Sequence, residues 1–164
     1  DGAAAMILSP EPSPVRVVGC GCASLPEAAR QMVWFADDHG LRLELSQDLP
    51  DTLAARLPSV VSEFLEEQGT SPAAVDHWLV HPGGPQILKA VEKSLALPEE
   101  ALAFSWSVFR NYGNMSSPTI FFIMKELFET RPTGQVVAMA FGPGLTIEMV
   151  LLHANHEGAC RTSE

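Results

Sequence analysis

The sequence His81-Pro82-Gly83-Gly84-Pro85 follows the apolar run Trp78-Leu79-Val80, and Asn111-Tyr112-Gly113-Asn114-Met115-Ser116-Ser117 precedes a second apolar stretch. An imidazole at the end of a strand, followed at once by a turn rich in proline and glycine, has a restrained backbone. That is a suitable mount for a catalytic base or hydrogen-bond donor. In Tyr112-Gly113-Asn114 a carboxamide occupies a tight turn at the mouth of a helix. There its N–H groups can point at a bound oxygen rather than at its own backbone. Together the two residues predict a site that stabilises negative charge developing on a carbonyl oxygen. Taken singly, His81 reads as a hydrogen-bonded core histidine and Asn114 as a turn or capping residue, so only their convergence makes a site.

Other chemically suggestive residues have plainer readings. His77 and His81 are four apart, but a strand setting and Pro82 defeat the helical geometry of a zinc pair, and no metal is expected. His153, His156 and Cys160 form a loose cluster in a polar tail and read as solvated. Gly142-Pro143-Gly144 is by default a hairpin turn, and Ser116 an early-helix hydrogen-bonding residue. Phe121, Phe122 and Phe128 read as packing.

The 164 residues are enough for one substantial core. Residues 1–153 read as one domain and 154–164 as a polar C-terminal tail. The net charge of −10, with 10 basic against 20 acidic residues, argues against nucleic acid. No apolar run approaches the roughly 20 residues of a membrane helix. Cys20, Cys22 and Cys160 are odd in number, so a disulfide framework is not expected and a reducing, cytoplasmic setting is. The chain opens at Asp1 with Gly2-Ala3-Ala4-Ala5-Met6-Ile7-Leu8 running straight into an apolar segment, and we read it as the C-terminal portion of a longer polypeptide.

The elements that must hold the site follow from periodicity. Ala3 to Leu8 and Val15 to Cys22 read as strands separated by Pro10, Pro12 and Pro14. Met32 to Phe35 has no clean period, whereas Leu41-Arg42-Leu43-Glu44-Leu45 alternates as a half-buried strand does. Asp48 and Pro50 start a helix with Leu49, Leu53, Leu57, Val61, Phe64 and Leu65 on one face, ended by Gly69. Pro58 leaves open whether this is one helix or two. His77 to Val80 reads as a buried strand, and Ile87, Leu88, Val91 and Leu95 as the next helix face. Pro98-Glu99-Glu100 opens a further connection, and Met115 to Glu129 reads as a helix buried nearly all round. Gln135 to Phe141 and Leu145 to His153 should pair as an antiparallel hairpin. The sum is an α/β layered fold with a mixed sheet.

Four segments, in order and at compatible spacing, resemble the C-terminal half of the type III polyketide synthases, the chalcone-synthase-like enzymes. They are Asp1-Gly2-Ala3-Ala4-Ala5, His81-Pro82-Gly83-Gly84-Pro85, Tyr112-Gly113-Asn114-Met115-Ser116-Ser117 and Phe141-Gly142-Pro143-Gly144-Leu145-Thr146. The resemblance implies the C-terminal half of a thiolase-like fold, with a mixed five-stranded sheet and flanking helices, and a homodimer. It also implies a decarboxylative Claisen condensation of malonyl-CoA onto an acyl-CoA starter. His81 and Asn114 match the family's carbonyl-polarising pair. Trp34, Leu43, Ser116 and the loop Phe141, Gly142, Pro143 and Gly144 would then contact substrate. The CoA thioesters are substrates, and no resident cofactor is implied. The family's nucleophilic cysteine lies upstream of the Asp1-Gly2 segment, so it is expected on an N-terminal half. These residues alone should be inactive.

Three departures bear on substrate. Ala140 replaces the first glycine of the usual Gly-Phe-Gly-Pro-Gly loop, and Leu43 stands where plant enzymes carry a gating phenylalanine. Trp34 stands where they carry a small residue. Met32-Val33-Trp34 looks more like the bacterial branch, some of which makes alkylpyrones or alkylresorcinols from fatty acyl-CoA. Two alternatives share the fold. One is a ketoacyl-acyl carrier protein synthase III-like condensing enzyme, against which stand the turns around His81 and Asn114 and the scarcity of basic residues for carrier docking. The other is a non-catalytic half-fold dimerisation module.

Overall fold

Six strands and four helices organise residues 2–155, which a computed structural model describes. The strands are β1 (Val15–Ser24), β2 (Met32–Asp37), β3 (Gly40–Leu45), β4 (His77–Val80), β5 (Thr133–Gly142) and β6 (Thr146–Asn155). The helices are α1 (Leu49–Glu67), α2 (Pro85–Ser94), α3 (Ala103–Tyr112) and α4 (Pro118–Glu129). One sheet has the order β1-β6-β5-β4, with β4 and β5 parallel and the other pairs antiparallel. β2 and β3 form a separate two-stranded hairpin.

Alternation along the strands creates the layers. Trp78, Val80, Val137, Met139 and Met149 face one way and pack on Leu53, Leu57, Val61 and Leu65 of α1 and Leu88 and Val91 of α2. Leu79, Val136, Ala138, Leu152 and Ala154 face the other way, against Val108 of α3 and Ile123, Met124 and Leu127 of α4. Each fully buried Leu or Val contributes about 1.5–3 kcal/mol relative to exposure. Both faces of the sheet are therefore anchored by helices.

Several expectations need correction. The sheet has four strands, not five. Ala3 to Leu8 forms no regular element and pairs with no strand among the described residues, and Ile7 and Leu8 are 93% and 76% exposed. An apolar run marks a segment suited to burial, but a strand also needs a neighbour's N–H and C=O groups. Leu41 to Leu45 is a strand, yet every residue of it is exposed, because the β2–β3 ribbon is separate from the main sheet and is not covered by a layer of the described residues. The connection after Pro98 contains α3. Its Leu102, Phe104, Trp106 and Val108 fall at every second residue and imitate a strand. Asp48 makes no side-chain cap; its backbone carbonyl instead accepts from the Thr52 N–H at 3.0 Å. Met115 to Ser117 precede α4, whose first residue is Pro118, and Phe121 and Phe122 on it are only partly buried.

Other features match or resolve the sequence reading. α1 runs unbroken through Pro58, its apolar face buried on both sides of the proline. β5 and β6 pair antiparallel across Pro143 to Leu145. β6 continues to Asn155, so the first two residues of the expected tail belong to the sheet, and 156–164 lie outside the described residues.

Close approach of β1 to α1 requires glycine at position 21. A Cβ there would fall 2.5 Å from Cδ2 of the buried Phe64. Gly21→Ala should lower stability by about 1–3 kcal/mol in urea denaturation, because overpacking displaces the ring. Gly84→Ala should stay within about 0.5 kcal/mol of the parent, since its φ of 171° is extended and a Cβ there meets nothing within 4 Å. Equal losses would refute the packing account.

Candidate active site

The backbone of His81 is held by the sheet although the residue lies one position past β4. Its N–H donates to the Met139 carbonyl at 2.8 Å, and its own carbonyl accepts from the Gly83 N–H at 3.0 Å. That second bond turns the chain out of the sheet, and Pro85 then opens α2. Burial pushes the imidazole pKa below its ordinary value. The neutral ring, with one N–H to donate, is thus the favoured form near neutrality.

Asn114 is positioned by a turn with little freedom. Gly113, at φ 72° and ψ −162°, adopts a conformation essentially reserved for glycine, and its N–H closes α3 on the Phe109 carbonyl at 3.0 Å. The Asn114 Oδ1 accepts from the Ser116 N–H at 2.8 Å. With the carboxamide oxygen so engaged, the N–H₂ group is left to donate elsewhere. The Met115 N–H donates to Oγ1 of the fully buried Thr119 at 2.8 Å, and the Thr119 N–H donates to the Ser116 carbonyl at 3.0 Å. These bonds hold Ser116 at φ 64°, where a residue with a side chain is strained.

His81 and Asn114 line the same cavity, of about 580 Å³. Trp34, Leu43, Ser116, Phe141, Gly142 and Pro143 line it too; Gly144 does not. Gly144, at φ 128°, serves the turn between β5 and β6. The cavity opens beyond the carboxyl ends of the parallel strands β4 and β5, where α/β sheets present their ligand crevices. Trp34 and Leu43 are directly paired across β2 and β3, so the ribbon presents both to the cavity from one face. Met32 and Leu45, two pairs along and so on the same face, line it as well and were not expected. Spacing of two from Trp34 and Leu43 was the available signal. Thr119 carried no such signal, because a threonine after proline at a helix start is ordinary.

Neither described cysteine lines this cavity. Cys20 and Cys22 lie exposed on β1 and border a second, mainly apolar cavity of about 800 Å³. The Cys22 Sγ donates to Glu148 Oε1 at 3.1 Å, and that bond, with the carboxylate's charge, pushes the thiol pKa up. A thiol so held is a poor nucleophile. His77 approaches the Thr133 carbonyl through Nε2 at 3.2 Å, and four residues along a strand, about 13 Å, separate it from His81. His153 is exposed on β6, and His156 and Cys160 lie outside the described residues.

Comparison with known proteins identifies the family of the chain. The family Chalcone and stilbene synthases, C-terminal domain, matches residues 20–155. The chain belongs to that family, and corresponds to the C-terminal part of a type III polyketide synthase with a thiolase-like fold. It is 32% identical over 162 residues to the alpha-pyrone synthesis polyketide synthase-like protein Pks18 of Mycobacterium tuberculosis, covering 92% of this chain and 41% of that protein. Among solved structures, PKS-I of the brown alga Ectocarpus siliculosus superposes with a TM-score of 0.82 at 28% identity, covering 89% of this chain and 41% of that one. The C-terminal type III polyketide synthase domain of Steely1 from Dictyostelium gives a TM-score of 0.79 at 29% identity, covering 85% of this chain and 40% of that one. The chain therefore spans about two fifths of the length of these relatives.

The partly buried imidazole has a consequence for stability. An unfolded histidine binds its proton near pH 6.5, above the lowered folded value, so the unfolded state protonates first as pH falls. The stabilisation is complete above about pH 6.5 and is lost as pH drops toward the folded value. His81→Gln should accordingly lose less stability than the parent between about pH 7 and pH 5 in urea denaturation. Equal losses would show that His81 is not buried in its neutral form.

Proposed function

We propose that, in the complete polypeptide, His81 and Asn114 stabilise the enolate formed when malonyl-CoA loses carbon dioxide, and that this enolate condenses with an enzyme-bound acyl group. The supporting observation is that both residues line one cavity while Asn114 has its carbonyl oxygen already bonded to the Ser116 N–H. As the carbon–carbon bond to carbon dioxide breaks, negative charge gathers on the malonyl thioester oxygen. Donors fixed beforehand lower that barrier without reorganising. A neutral imidazole and a carboxamide both meet this need, and neither would neutralise the malonyl carboxylate before it leaves.

Condensation also needs a thiolate to carry the acyl starter. With Cys20 and Cys22 bordering the other cavity, we assign that thiolate to the family's N-terminal half, outside these residues. The enolate carbon attacks the acyl thioester, the new carbon–carbon bond forms, and the cysteine thiolate departs. A homodimer acting on acyl-CoA starters completes the reading. The name of the mycobacterial relative supports an alpha-pyrone as product class, and the apolar pair Trp34 and Leu43 supports an apolar starter.

Malonyl-CoA decarboxylation by the full gene product tests this. Asn114→Ala and His81→Ala should each lower the decarboxylation kcat about 10²- to 10³-fold while the protein stays folded. Unchanged rates in both variants, or a folded parent with no decarboxylation, would overturn the proposal. The second outcome would favour a non-catalytic scaffold.

A further inference from the structure

β4 lies at the open edge of the sheet, yet its three C-terminal residues are buried. Because the His81 N–H points to β5, alternation turns the preceding N–H, that of Val80, away from the sheet. Among the described residues no strand is there to accept it. Its partner is the Ser105 hydroxyl, at 3.0 Å, from the first turn of α3. Ser105 is fully buried, one of only two buried polar residues among those described. A buried backbone N–H without a partner is costly, so the bond is strongly specified.

The placement of this bond is what matters. Val80 immediately precedes His81, and Ser105 sits on the helix whose C-terminus leads through Gly113 to Asn114. A single buried hydrogen bond thus joins the strand that carries the imidazole to the helix that carries the carboxamide. Helix α3 is one rigid unit between Ser105 and the Asn114 turn, so a shift at its first turn is passed on to its last. We propose that Ser105 is a positioning residue: it touches no substrate, and its hydroxyl sets the distance and angle between His81 and Asn114. This rests on the assignment of those two residues to decarboxylation.

A hydroxyl of the right reach is required, so threonine should serve and alanine should not. In the full gene product, Ser105→Ala should lower the malonyl-CoA decarboxylation kcat about 10- to 100-fold, with the KM for malonyl-CoA changed less than about three-fold. Rates are expressed per active site, counted by the acyl-enzyme burst, so that loss of folded protein does not register. Ser105→Thr should recover most of the rate. A double-mutant cycle separates positioning from general weakening. In an Asn114→Ala background, Ser105→Ala should cost less than about three-fold, because misplacing an absent carboxamide costs little. A full independent loss in that background, or a parental rate for Ser105→Ala alone, would overturn the role of Ser105. If Asn114→Ala and His81→Ala themselves leave decarboxylation unchanged, the underlying assignment fails instead.

Discussion

The two-residue period of β4 is the constraint on which the site depends. Trp78 and Val80 bury themselves against α1 and α2, and Leu79 against α3 and α4. The next side chain in the series, that of His81, is therefore committed to the Leu79 side, where the α3–α4 turn holds Asn114. A register slip of one residue would exchange the faces and send the imidazole away from the carboxamide. The apolar core that stabilises the domain thus also selects the face on which His81 lies.

Around that constraint the site is built mainly by the backbone. His81 is placed by a ladder bond to Met139 and a turn bond from Gly83, and Asn114 by bonds among Met115, Ser116 and Thr119. Ser116 is held in a left-handed conformation within this network. Strain of this kind persists where surrounding bonds over-determine it, and it concentrates at functional positions. The carboxamide is consequently set before any ligand arrives, which is the condition for electrostatic stabilisation without reorganisation.

The β2–β3 ribbon is the least supported element. Its apolar residues Trp34, Leu41, Leu43 and Leu45 are substantially exposed, although Trp34, Leu43 and Leu45 border the cavity. On the opposite face Arg42 lies over the Phe35 ring, 5.9 Å from its centre, and pairs with Glu44 at 2.9 Å. Exposed contacts of these kinds are each worth about 1 kcal/mol or less. An arm of this sort can vary in sequence at small cost to the core, which suits one wall of a cavity.

Much of the architecture was legible in the chain because it rests on local periodicity. β3, α1, β4, α2 and the β5–β6 hairpin follow from spacing of two or of three and four, and His81 and Asn114 were marked by the turns that flank them. What spacing could not decide was pairing. Ala3 to Leu8 has strand chemistry but no described partner strand, α3 was disguised by apolar residues at every second position, and β3 alternates without a layer to cover it. Tertiary structure alone brought His81 and Asn114, 33 residues apart, to one cavity, left Gly144 outside it, and set the Ser105 hydroxyl under the Val80 N–H. Periodicity reports which side of an element is apolar, whereas a site depends on which elements meet, and that is settled by packing among residues distant in the chain.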